Sequence, residues 1–243
     1  YNNLLNSIRE LLERTKEEEK IIRKNELDLI LEQINPHFLY NTLDVISGLT
    51  LIGDQDKSFQ MTQALGRFYR NSLNRGSQMI PVREELDIVK SYMTIINIRY
   101  ENEISIRYQV DEKLMDTLML KLILQPLVEN SIYHGIKEKN GKGRIVLRAR
   151  EEQSPDGSPQ ILFTVEDTGV GMSRDKVESI NRALEIGTTE HSDGYGIFNV
   201  NERIKLYYGE GYGLHYESCE GEWTRATLTI PKCMQEKDKC TEY

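Results

Sequence analysis

A chain of 243 residues has room for one large domain or two modest ones, and for a full apolar core. Its net charge of −8, with 29% charged residues, offers no basic field to hold nucleic acid or an anionic membrane, and no run of about 18 apolar residues exists to span a bilayer. The three cysteines, Cys219, Cys233 and Cys240, are odd in number, late and without CxxC spacing, which argues against a disulfide framework or a zinc site and fits a reducing cytoplasm.

Residues 1 to 34 contain neither Gly nor Pro. Leu4, Leu5, Ile8, Leu11 and Leu12, then Leu27, Ile30, Leu31 and Ile34, recur at helical spacings around the polar stretch "ERTKEEEK", which predicts a long helix. The chain opens at Tyr1 in mid-pattern, as a fragment whose upstream part is missing would. Next comes "EQINPHFLYNTLD", where a proline stands directly before His37. Pro36 has no N–H, so either the helix bends there, leaving the Glu32 carbonyl unpartnered, or Asn35 caps and Pro36 opens a fresh helix. Asn41, four residues on, shares the face of His37 and can hold one ring nitrogen while the other presents its lone pair. A lone helical histidine is ordinarily structural; one beside an orienting amide is a nucleophile candidate. The apolar seam continues through Phe38, Leu43, Val45, Ile46 and Leu49, "LIGDQD" turns the chain near Gly53, and "KSFQMTQALGRFYRNSL" predicts a second helix. Two such helices make a hairpin that buries too little alone, which pairing with a second copy into a four-helix bundle would remedy.

From Pro81 the texture changes. "VREELDIVKSYMTIINIRY" predicts a helix, "EISIRYQV" a strand, and "LKLILQPLVENSIYHGI" another helix. "GRIVLRAR" and "QILFTVED" alternate as strands around the turn "SPDGSP". "SRDKVESINRALE" and "GIFNVNERIKLYYG" are helical, and "GLHYESCEGEWTRATLTIP" is a closing hairpin before a polar, frayed tail. Helices mixed with largely antiparallel strands imply an α+β fold with a two-layer sandwich.

Three motifs in this half carry chemistry. In "PLVENSIYHG", Asn130 and His134 lie four apart on one helix face, and the Asn130 carbonyl oxygen suits one position around a Mg²⁺ held mainly by phosphates and water. In "EDTGVGM", Asp167 can accept a hydrogen bond from an exocyclic amine such as that of adenine, while Gly169 and Gly171 allow close backbone approach. In "DGYGIFNV", Gly194 and Gly196 precede a helix whose first N–H groups can face phosphate. Singly, each is an ordinary turn or helix feature. Together, with Ser173 to Asp193 as a flexible lid between the glycine motifs, they resemble the N, G1 and G2 boxes of the Bergerat, or GHKL, ATP-binding fold, over roughly Pro81 to Pro231. Where the hydrolysing members carry a water-activating glutamate, four residues before the asparagine, this chain has Pro126, and loss of such a base costs about 10²- to 10⁴-fold. Glu129 is adjacent in sequence but turned about 100° around the helix.

"QINPHFLYNTLD" closely resembles the phosphoacceptor box of the LytS/YesM-type sensor histidine kinases, as "VREELDIVKSYMTIINIRY" and "GYGIFNVNERI" resemble that family's linking helix and second glycine box. The resemblance implies His37 as phosphoacceptor with Asn41 beside it, Asn130 as Mg²⁺ ligand, and Asp167 as adenine reader. Gly169, Gly171, Gly194 and Gly196 would shape the nucleotide loops, with His134 and Thr224 alongside. It implies ATP and Mg²⁺ as cofactors, a homodimer, a response-regulator receiver domain as partner, no nucleic acid, and a cytoplasmic region whose membrane sensor is absent from this fragment. The divisions expected are a signalling helix over 1–25, a dimerisation and phosphotransfer region over 26–80, the ATP-binding domain over 81–232 and a disordered tail over 233–243. The chain departs from other histidine kinase classes at Phe38, where they place an acid and its own family does not, so the base is unassigned, with Glu129 and Asp44 named without preference. It departs again at Tyr133 in place of a lysine, with Arg203 either compensating or pairing on a helix surface, and at Trp223 before Thr224 in place of a glycine. Arg70, Arg75 and Arg99 are further candidates for phosphate or a partner. A GHKL ATPase, a serine kinase, or a catalytically degenerate dimeric scaffold are the alternatives. Phosphate release without His37 would favour the first two, and failure to bind nucleotide the last.

Overall fold

The computed structural model describes residues 36–73, 78–101, 103–139, 142–155, 157–187 and 195–232. The helix expected over 1–34, Asn35, Arg75, Gly194 and the tail lie outside these. The chain divides into two compact units, residues 1–58 and 59–243.

In the first unit, helix α1 (Pro36–Leu51) is described from its proline onward, so the choice between a bend and a cap at Asn35 lies outside the described residues. Phe38 and Thr42 are its buried positions, four apart, and the Thr42 hydroxyl donates to the Phe38 carbonyl at 2.7 Å. The helix ends where Ile52 donates to the Gly48 carbonyl and Gly53 takes φ +82°, a left-handed conformation that glycine adopts without a Cβ penalty. Asp54 Oδ1 then accepts the Lys57 N–H at 3.1 Å, capping helix α2 (Gln55–Ser72).

In the second unit the rest of α2 buries Met61, Ala64, Leu65, Phe68 and Ser72, the three-and-four spacing of one helix face. Its Phe68 ring lies 6.2 Å from that of Tyr92 on helix α3 (Val82–Arg99). Just before α3, strand β1 (Met79–Pro81) pairs antiparallel with β3 (Leu118–Leu120), a ribbon the apolar pattern does not announce. The main sheet comprises β2 (Ile104–Val110), β4 (Gly143–Gln153), β5 (Pro159–Asp167), β6 (Gly213–Cys219) and β7 (Trp223–Pro231) in the order β2-β4-β5-β7-β6. The β2–β4 pair is parallel and the others are antiparallel, giving the expected α+β architecture. Alternation sets the two faces. Ile145, Leu147 and Ala149 of β4, Ile161, Phe163 and Val165 of β5, and Ala226, Leu228 and Ile230 of β7 point into the core. The opposite face carries cross-strand charges, with Arg225 on Glu166 at 2.7 Å and on Glu217 at 3.2 Å.

Two expectations are corrected. The helix predicted from Leu120 starts only at Leu124: α4 runs Leu124–Asn130 and passes into a π-helical turn, Ser131–Ile136. Leu122 sits at φ +58°, which a helix cannot contain, and the N–H groups of Leu122, Ile123 and Leu124 point to the Glu85 carboxylate of α3. The segment from Ser173, expected as a helix within a flexible lid, does form helix α5 (Arg174–Ile186), but the helix is docked on β6. There the Asn181 side chain exchanges two 2.8 Å hydrogen bonds with the Tyr216 backbone, and Ala183 and Leu184 are buried. Residues 188–194 of the expected lid lie outside the described residues.

Helix α6 (Tyr195–Tyr208) holds α5 to β6 through Asn201, a nearly fully buried amide. Its nitrogen donates to the Leu184 carbonyl and its oxygen accepts the Leu214 N–H, both at 2.9 Å. Asn201→Ala strands both backbone groups away from water, and the expected loss is roughly 2–4 kcal/mol in urea denaturation.

Candidate functional site

The structure brings His37 and Asn41 together. Helical spacing places the Asn41 amide nitrogen 3.0 Å from Nε2 and 3.2 Å from Nδ1 of His37. It lies over the ring edge between the two nitrogens, so the contact holds the imidazole without selecting one of them. His37 is exposed, the neighbouring Phe38 is buried, and Asp44 is exposed.

The second cluster follows from strand parity. Asp167 continues the core-facing series Ile161, Phe163, Val165, so a carboxylate ends a row of apolar side chains. Thr224 is its register partner on β7, and Ser218 of β6 is the partner of Thr224. Asp167, Thr224 and Ser218 thus form one polar row across three strands, with 3.0 Å between the two hydroxyl oxygens. Asp167 is 1% exposed, accepts the Gly169 N–H at 2.8 Å, and is hydrogen-bonded by the Ser131 side chain. Burial pushes its carboxyl above the usual range, against the pull of those two donors. Beside the row, the Tyr216 hydroxyl is buried with no hydrogen-bond partner.

The loop after Asp167 is clamped by the chain's own backbone. A Cβ on Gly169 would lie 2.4 Å from the Gly135 Cα, and one on Gly171, at φ +65°, would collide with the Cys219 carbonyl. The absent side chains therefore leave room first for protein packing, a different reason from the close approach of a ligand expected above. Lys139 Nζ adds donors to the carbonyls of Thr168 and Gly169 at 3.2 and 3.1 Å. Gly135, in the π turn, presses on the same point, since its Cβ would stand 2.6 Å from Asp167 Oδ1.

Asn130 is the last residue of α4, half-buried, and its side chain does not cap the π turn that follows. His134 is exposed. Between Asn130 and His134 the π turn replaces i,i+4 hydrogen bonding by i,i+5. Glu129 is half-buried and tied by Gln125 at 2.7 Å; burial raises its carboxyl, and the Gln125 bond lowers it in part. Burial pushes the Tyr133 phenol up to about 12, with Tyr100 adding to the shift. The cation nearest these rings is Lys137, 3.6 Å from the Tyr100 centroid and 4.8 Å from that of Tyr133. Arg203 neither compensates for Tyr133 nor pairs on the surface: it donates to the Lys121 and Leu122 carbonyls. Gly196 falls inside the first turn of α6 rather than before it, with open space around its Cβ position. Arg70 is exposed, and Arg99 stacks 5.2 Å from the Tyr100 centroid.

Comparison with known proteins gives the family. A family model described as "Histidine kinase" matches residues 25–104, and one described as "Histidine kinase-, DNA gyrase B-, and HSP90-like ATPase" matches residues 115–233. The chain belongs to the histidine kinases. It is 35% identical to Sensor histidine kinase YesM of Bacillus subtilis over 95% of its own length and 37% of that protein. It is 28% identical to Sensor protein LytS of Bacillus anthracis over 90% of this chain and 36% of the relative. Sensor histidine kinase BtsS of Escherichia coli matches at 28% over 87% of this chain and 34% of that one. The chain thus spans little more than a third of each of these three relatives.

Within this histidine kinase the fit to a nucleotide rests on two observations: the nearly inaccessible Asp167 beside an orphaned Tyr216 hydroxyl, and an Asn130 amide left over from helix capping. Among the described residues no group of three His, Cys, Asp or Glu side chains could hold a metal ion, so one oxygen from Asn130 suits only an ion brought largely by phosphates and water. No described helix is long and apolar enough to cross a membrane. Sequence reasoning missed Ser131, Gly135, Lys139 and Glu85. Of these only Glu85 carries a signal, as an acid on the buried stripe Val82, Leu86, Val89.

Gly171→Ala adds both a strained φ and a backbone collision, so its expected cost is at least about 1–3 kcal/mol, against a change within about 1 kcal/mol for Gly196→Ala, both read by chemical denaturation. For Glu129 the folded carboxyl titrates above its ordinary value of 4.5. Its contribution to stability is therefore complete below that value and lost as pH rises through the folded one. Glu129→Gln should stabilise the chain at pH 7, with the gain disappearing near pH 4 in paired urea titrations.

Proposed function

We propose that the chain is the kinase region of a sensor histidine kinase, which phosphorylates His37 from ATP and passes the phosphoryl group to an aspartate on a response-regulator receiver domain. The observation that carries this is the pairing of an exposed imidazole held by Asn41 with a separate buried carboxylate row suited to adenine. A nucleophile has to be reachable, and an adenine reader has to be dry. The lone pair of one ring nitrogen attacks the γ-phosphorus in line. A nitrogen–phosphorus bond forms, the bond to the bridging oxygen of ADP breaks with its electrons leaving on ADP, and the other ring nitrogen gives up its proton to the solvent that reaches the exposed ring. Asn41 orients the ring for this attack, Asp167 accepts from the adenine amine, and Asn130 supplies one oxygen toward Mg²⁺. When bound, Mg²⁺ neutralises phosphate charge.

Hydrolysis to water is the weaker reading, because Pro126 occupies the position of the water-activating base and Glu129 is held by Gln125. Tyr40, Leu43, Leu51, Ile52 and Phe59 are large apolar side chains left exposed on α1, α2 and their turn, which supports pairing with a second copy of the chain. Attachment to a membrane sensor outside this sequence is part of the same proposal, supported by the sensor names of its relatives.

The test is incubation with γ-labelled ATP and Mg²⁺. Wild-type chain should acquire label that is labile in acid and stable in base, and His37→Gln should acquire none. Phosphate release that survives His37→Gln at the wild-type rate would replace the kinase by a hydrolase.

A further inference from the structure

We propose that Glu85 and Arg203 are positioning residues that set the entry into α4, and with it the placement of Asn130, and that they tie this placement to helix α6. The inference rests on the reading of Asn130 as the residue facing the metal side of the nucleotide.

Residues 121–124 form a bend, with Leu122 at φ +58°. Glu85 Oε2 accepts the Leu122 N–H at 2.8 Å, and Oε1 accepts those of Ile123 and Leu124 at 2.9 and 2.8 Å. The side chain is fully buried. These are the N–H groups that the start of a helix leaves unpaired, so the cap of α4 is delivered by a carboxylate from another helix, α3. The carbonyls of the same bend go to the opposite charge. Arg203 Nη2 donates to Lys121 at 2.8 Å and Nη1 to Leu122 at 3.3 Å. One backbone turn is thus held between an anion from α3 and a cation from α6.

What the bend controls lies directly downstream. Asn130 is six residues after Leu124, about 9 Å along the axis, with no Gly or flexible joint between them. A tilt at Leu124 is carried to the Asn130 amide. Arg203 in turn lies two turns into α6, whose first turn contains the Gly196 of the second glycine motif. Displacement of α6 therefore pulls on the Lys121 and Leu122 carbonyls and reaches Asn130 through the bend, and α3 feels the same displacement through Glu85. Val82, Leu86 and Val89 pack the stripe on which Glu85 sits; an apolar side chain there would suffice for packing alone, whereas three converging N–H groups require an anion.

A purely structural role would weaken every property in step. A positioning role separates the Mg²⁺-dependent part of nucleotide binding from the rest. The experiment measures ADP affinity of the whole chain with excess Mg²⁺ and with EDTA, for wild type, Glu85→Gln, Arg203→Met, Arg203→Lys and Asn130→Ala. Glu85→Gln and Arg203→Met should each cut the gain in affinity brought by Mg²⁺ by about tenfold, with EDTA affinity within about threefold of wild type. Arg203→Lys, which keeps a donor, should restore most of the gain, and Glu85→Gln should lose nothing further when Asn130→Ala is added. A Mg²⁺ gain left intact in both single variants, or one that falls only in step with EDTA affinity, overturns the proposal. If Asn130→Ala leaves the Mg²⁺ gain intact, the underlying reading of Asn130 fails instead. Hydrogen exchange on the nucleotide-free chain then decides the positioning claim independently. Faster exchange in Arg203→Met that extends from residues 122–124 through 131 supports it, and acceleration confined to 122–124 overturns it.

Discussion

The site depends on the two-residue period of the sheet. Once Ile161, Phe163 and Val165 face the core, Asp167 must face it too, and a carboxylate is delivered to an interior edge by parity alone. An unpaired buried carboxylate is costly, so its surroundings are constrained in turn: Ser131 and the Gly169 N–H supply donors, and the register brings Thr224 and Ser218 alongside. The same period sends Glu166 and Arg225 outward, where they form solvated cross-strand pairs.

Crowding around that carboxylate explains the irregular backbone nearby. Gly135 must approach Asp167 to a distance that excludes a Cβ, and Gly169 must approach Gly135. A regular α-helix through residues 131–136 is replaced by a π turn, a form found often at functional sites. Glycines in such a motif are easily read as room for a ligand. Here Gly169 and Gly171 first make room for the chain's own backbone, and any nucleotide meets a loop whose shape is already set.

Much of the fold was legible in the sequence, and the reasons for the gaps are physical. The strands β5, β6 and β7 show clean alternation and are legible within a residue or two, and β4 runs three residues past "GRIVLRAR" to Gln153. Helices α2, α3, α5 and α6 show three-and-four spacing and were also located. What failed was the region from Leu118 to Ile136, where a continuous apolar run hides a short strand, a bend at positive φ and a π turn. Apolar periodicity cannot separate these, because the bend is imposed by Glu85, which is 37 residues before Leu122. Helix α5 is legible from its spacing but its docking is not, because the bonds of Asn181 and Asn201 that hold it are tertiary. Arg203 looked like a surface or phosphate cation, and only the carbonyls of a distant turn reveal its use. In the candidate site, the contact of His37 with Asn41 is legible from spacing, whereas Asp167 and Thr224 are named separately by motif and only the strand register pairs them, and Ser131, Gly135 and Lys139 act through contacts no spacing encodes.

The placement of charge also separates binding from chemistry. Asp167 and Glu85 are buried and held by donors, the Gly169 N–H and the Ser131 side chain on the first and three backbone N–H groups on the second, which fixes their geometry. Glu129 is partly immobilised by Gln125, and Pro126 removes an acid from the position next to it on the helix turn. The polar groups of the α+β unit are thus arranged for orientation rather than for activating water. The proposed phosphoryl transfer therefore calls for a nucleophile from outside that site, and His37, exposed and braced by Asn41, is the one proposed.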